Sequence, residues 1–121
     1  MSREQSYISV MPEKVRVKIV GAIDTNPQLT LSEEEVTILG LAEPIRRAYE
    51  KISMYEPLLK RFPKDYTFLQ PEPEVVVMKR DDAVALIRFI KERSGIDPYL
   101  TPVALMYRSR TFLLSIEHSC G

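Results

Sequence analysis

The sequence predicts a single α+β domain: a mixed β-sheet of about four strands with two or three helices packed on one face, ordered β-α-α-β-α-β-β. Three observations carry this. Lys14 to Val20 alternates strictly, with Val15, Val17 and Ile19 on one side and Lys14, Arg16 and Lys18 on the other, the period of a half-buried strand. Ser32-Glu-Glu-Glu35 forms a capping box, with Ser32 as N-cap and Glu35 at the third helical position. Ala83, Leu86, Ile87 and Ile90 make a helical apolar stripe that Gly95 terminates.

The remaining elements follow in chain order. Residues 1–11 read as a flexible leader, 12–117 as the domain and 118–121 as a frayed tail. The helix opened by Ser32 should end near Gly40; a strand over Val36–Leu39 is the rival, since β-branched residues favour one. From about Glu43 the spacing of Ile45, Ala48, Tyr49 and Ile52 is helical, and Pro57 should end or kink that helix near Tyr55, with a further turn over Leu58–Phe62. Pro63 to Pro73 reads as an extended connector. Glu74 to Met78 lacks alternation and is expected to be a central strand, apolar on both faces. Asp81 or Asp82 is the expected cap of the following helix.

The stretch VALMYRSRTFLLSI (103–116) puts two arginines among apolar residues. Four successive polar residues, 108–111, circle a full helical turn and would interrupt any apolar stripe, so the stretch is β structure. Arg-Ser-Arg lacks the Gly, Asn or Asp that a two-residue hairpin turn favours. Two strands with a longer turn are expected, against one strand carrying Met106, Arg108, Arg110 and Phe112 on a single face.

Composition narrows the class. Seventeen basic and seventeen acidic residues cancel, which excludes nucleic-acid binding by bulk charge but not by a local patch. The single cysteine, Cys120, excludes an intramolecular disulfide, and the charged start MSREQSY does not read as a secretory signal. A cytoplasmic, soluble protein with no membrane partner is expected. One asparagine, three glutamines and nine prolines resemble the composition of hyperthermophile proteins.

Specific chemistries are sparse. Glycines at 21, 40, 95 and 121 can build neither a phosphate loop nor a dinucleotide fingerprint, and no cofactor is expected. His118 and Cys120 are the only residues of their kinds and lie in the terminal tail, a poor place for a rigid catalytic pair. With one histidine, a metal site would need carboxylates. Glu74, Asp81 and Asp82 bracket a strand and are the candidates for a metal-dependent nuclease. The spacing of Glu74 and Lys79 departs from the acid-any-lysine pattern of PD-(D/E)xK nucleases, so that family's roles are not carried over.

Two binding surfaces remain. Lys14, Arg16, Lys18, Arg108 and Arg110 would line one basic sheet face for DNA or RNA if their strands are neighbours, with Tyr107 or Phe112 for stacking. Leu105, Tyr107, Phe112 and Leu114 are the candidates for an interface with a second copy or another protein; core packing is their ordinary alternative. The expectation is a non-enzymatic protein acting by macromolecular association, as a homodimer, with nucleic-acid binding as the second reading and the metal nuclease as the third.

Overall fold

A computed structural model describes residues 11–22, 25–61 and 72–117. The leader short of Met11, most of the connector, His118 and Cys120 lie outside these residues. Met11, placed above at the end of the leader, is buried in the core.

The described chain runs β1 (Lys14–Ala22), β2 (Leu29–Thr30), α1 (Glu33–Ile38), α2 (Ala42–Arg61), β3 (Glu74–Lys79), α3 (Arg80–Ser94), β4 (Val103–Tyr107) and β5 (Arg110–Glu117). The α+β architecture is as expected, with five strands in the order β2-β4-β5-β1-β3. The β2–β4 pair is parallel and the others are antiparallel. The added strand, β2, has two residues, too few to leave a periodicity in the sequence.

One core holds the layers together. Val15, Val17 and Ile19 of β1 and Phe112, Leu114 and Ile116 of β5 share a sheet face, and all three helices bury side chains against the same cluster. From α3 come Ala83, Leu86, Ile87 and Ile90, the stripe read from the sequence. Burying each large aliphatic or aromatic side chain is worth roughly 1.5–3 kcal/mol. Gly21 of β1 permits the close approach of α2: a Cβ there would lie 2.7 Å from Ile52 Cδ1.

The ends of the helices follow local chemistry, with two departures. The capping box of α1 is complete, Glu35 N–H donating to Ser32 Oγ (3.1 Å) and Ser32 N–H to Glu35 Oε1 (2.9 Å). Helix α1 therefore wins over the rival strand. Gly95 closes α3 in the left-handed conformation, φ 76°. Neither Asp81 nor Asp82 caps α3. The N-cap is Lys79, and both aspartates sit in the first turn, where they favour the positive end of the helix dipole. Of the two outcomes expected at Pro57, an end near Tyr55 or a kink, the end does not occur: α2 runs through Pro57 to Arg61. Pro57 is exposed, and the ~3 kcal/mol that a mid-helix proline costs is set against the burial of Ile45, Ala48 and Ile52 earlier in the same helix.

The largest correction concerns β3. It is not central but an edge strand, paired only with β1 among the described residues. Glu74, Val76 and Met78 fall on the core side with their β1 partners Ile19, Val17 and Val15, while Val75, Val77 and Lys79 fall on the side away from the helices. Val77 is 55% exposed.

Candidate interaction surface

The hairpin that carries the arginines separates them. β4 and β5 are joined by Arg108-Ser109 alone, with Tyr107 paired to Arg110. Both turn residues have positive φ (48° and 66°), the geometry of a type I′ turn. The turn is thus two residues long, shorter than the sequence led us to expect. Holding L-residues there costs about 1–2 kcal/mol each. Arg108 forms an ion pair with Glu33 of α1 and lies over the Tyr107 ring, 5.4 Å from its centroid.

Arg110 turns to the helical side. Its guanidinium lies 5.0 Å over the Tyr49 ring and 2.6 Å from Glu56 Oε2, both on α2. Hydrogen bonds to Tyr49 and then to Glu56 raise its pKa further above the ordinary arginine value. A cleft of about 420 Å³ lies between the hairpin tip, α1 and α2, and includes Glu33, Arg46, Glu50 and Arg108 in its lining. Arg46 is matched by Glu43 and Glu50, and Arg108 by Glu33. The first of these contacts, with Glu43, also raises the Arg46 pKa and holds the Glu43 carboxyl below the usual range. The Arg46 pairs lie within α2, whereas Arg108–Glu33 and Arg110–Glu56 link the hairpin to α1 and α2.

The five predicted cations therefore do not share one surface, although β1 and β5 are neighbours. Lys14, Arg16 and Lys18 lie on the face away from the helices, opposite to the buried Val15, Val17 and Ile19. Arg16 is paired with Glu117 of β5 at 2.9 Å. Phe112 is fully buried and Tyr107 is half-buried beneath Arg108, so neither offers an open stacking platform.

The predicted interface residues are likewise redistributed. Leu105, Phe112 and Leu114 have no exposure and belong to the chain's own core. Core packing, the ordinary alternative, accounts for them. The carboxylates of the metal reading are not brought together either. Glu74 is held by Lys51 at 2.6 Å and Arg47 at 3.9 Å, and its side chain is 14% exposed. Asp81 lies beyond the other end of β3, roughly 17 Å along the strand. No group of three potential metal ligands occurs among the described residues.

Sequence reasoning missed the outer edge of β3. Arg80 N–H donates to Glu13 O (2.8 Å), and Lys14 is in register with Lys79. By the alternation of an antiparallel ladder, Glu74, Val76 and Met78 turn their N–H and C=O groups toward β1. Val75, Val77 and Lys79 turn theirs outward. Beside this edge runs a groove of about 490 Å³ between the end of α1 and the start of α3, lined by Ile38, Leu39, Val77 and Ala85 among others. Ile38 is 74% exposed there. The only sequence signal was the uninterrupted Val75-Val-Val77, which also suits a central strand.

The chain matches no protein-family model, no curated protein and no solved structure. No helix among the described residues is long and apolar enough to cross a membrane.

Proposed function

We propose that the protein is non-enzymatic and acts by macromolecular association, assembling first as a homodimer through the outer edge of β3. The observation that carries the reading is the outward row of amides on Val75, Val77 and Lys79 beside exposed Val77 and Ile38. A six-residue edge with an apolar centre is a template for another strand. A two-fold axis perpendicular to the sheet at Val77 pairs Val77 with its own copy and Val75 with Lys79 of the second copy. All of these residues have outward amides, so the ladder closes on itself.

Sedimentation across a concentration series tests this. The wild type is expected to rise toward twice the 14.0 kDa chain mass. Val77→Pro removes an outward N–H without removing a β1–β3 bond, and proline is tolerated on such an edge. That variant should stay monomeric with an unchanged circular dichroism spectrum. A wild type that remains monomeric at high concentration, or a Val77→Pro protein that still dimerises, would overturn the assignment.

A further inference from the structure

We infer that the paired sheet binds the phosphate backbone of duplex nucleic acid on its helix-free face, through lysines that dimerisation gathers about the two-fold axis. The inference rests on the edge pairing proposed above. It begins from an imbalance of charge between the two sides of the sheet. On the helical side and around the hairpin, Arg46, Arg47, Lys51, Arg108 and Arg110 each meet a carboxylate. On the helix-free face Arg16 meets Glu117, but no ion pair engages Lys14, Lys18 or Lys79 among the described residues.

Two of these lysines are held against each other. Lys14 and Lys79 stand directly opposite in the β1–β3 register. Because Glu13 and Arg80 form the hydrogen-bonded pair, the Lys14–Lys79 pair is of the non-hydrogen-bonded kind, with Cα atoms only about 4.5 Å apart. Like charges so placed are destabilising until an anion joins them. A cleft of about 460 Å³ opens beside them, lined by Glu13, Lys14, Lys79, Arg80 and Asp81.

The proposed two-fold multiplies this arrangement. With Val75 opposite Lys79 of the second copy, one row reads Lys14, Lys79, Val75, Lys18 from one chain into the next, and the symmetry repeats it in reverse. Arg16, Val77, Val77 and Arg16 lie between the two rows, since Arg16 is in register with Val77. At about 4.8 Å between strands, each row spans roughly 14 Å. The rest of the face comprises Val20, Ala22, Ala104, Met106, Thr111, Leu113, Ser115 and Glu117 across the neighbouring strands. None of these is aromatic, so the face offers charge without base stacking. That favours a duplex backbone over unstacked single strands.

The test is binding of a labelled 24-base-pair DNA duplex over a salt titration, with sedimentation of the same samples. The dimeric wild type should bind with log affinity falling against log salt at a slope of about −5. Lys14→Ala with Lys79→Ala should remain a dimer, lose more than tenfold in affinity at low salt and lose about two-thirds of the slope, since four of the six lysines are gone. Monomeric Val77→Pro should also lose about half the slope; Val75→Pro serves if Val77→Pro does not fold. A dimer that ignores the duplex at low salt, or lysine variants that bind as the wild type does, would overturn the inference and leave the dimer standing. So would binding to phosphatidylserine vesicles but not to DNA. A monomeric wild type overturns both, and an unchanged slope in Val77→Pro overturns the gathering of the lysines by pairing.

Discussion

β2 and β3 form opposite edges of one sheet and treat the exposed ladder in opposite ways. β2 has two residues, Leu29 and Thr30, and its parallel pairing with β4 is extended by Gln28 N–H to Ala104 O and Leu31 N–H to Met106 O. The Gln28 side chain also accepts from Ala104 N–H, so side chain as well as backbone tie this edge inward. An edge so short offers little to another strand. β3 presents six residues, three successive valines at its centre and an apolar groove alongside. Charged residues stand only at its ends, and neither proline nor an inward-pointing charge interrupts its middle. The difference teaches that, among the described residues, one edge is closed by its own contacts while the other keeps its outward amides uncovered.

That contrast can be tested against the core first. Phe112→Ala should destabilise the fold by about 3–5 kcal/mol, read as a large fall in thermal or urea midpoint, because Phe112 is fully buried. Val77→Lys should change stability by less than about 1 kcal/mol, since its side chain is exposed, yet abolish the dimer in sedimentation. If the two variants have similar effects on stability, β3 is no free edge. Gly21→Ala should cost about 1–3 kcal/mol by forcing α2 away from β1, measured by chemical denaturation. Ser109→Gly should act in the other direction, stabilising by about 1 kcal/mol through relief of the positive φ in the hairpin turn.

The smallest effect concerns pH and the helix beside the β3 groove. The Ser32 backbone N–H leads the contacts that hold the Glu35 carboxyl below its usual range, with the Ser32 side chain and Arg93 adding to it. A carboxyl lowered in the folded state contributes stability that is full above its unfolded value, near 4.5, and is lost as pH falls through the lower folded value. The gap in midpoint between wild type and Glu35→Gln should therefore close as the pH is lowered from 6 toward 3. A gap unchanged over that range would show that the capping carboxylate contributes nothing through its charge.

Much of the architecture was legible because its causes are local. The alternation of Lys14–Val20, the Ser32–Glu35 box, the Ala83–Ile90 stripe and the stop at Gly95 each arise from residues within a few positions of one another. The interaction surface was less legible. Lys14, Arg16 and Lys18 were placed together because a strand of known period puts them so. Arg108 and Arg110 were grouped with them only by assuming neighbouring faces. A strand's side chains change sides at every residue, and the hairpin turn sends Arg108 to α1 and Arg110 to α2.

The sequence by itself determined the elements other than β2 and the side of β1 that enters the core. Only the tertiary structure decided that Glu74–Lys79 stands at an edge, that Leu105, Phe112 and Leu114 are core, and that Lys79 stands beside Lys14. The physical reason is the range of the forces. Helix caps and amphipathic periods act over one or two turns of chain, whereas a strand's neighbours come from pairings between residues far apart in sequence. Val75-Val-Val77 meets the requirements of a central strand and of a joining edge equally well, and strand order alone tells the two apart.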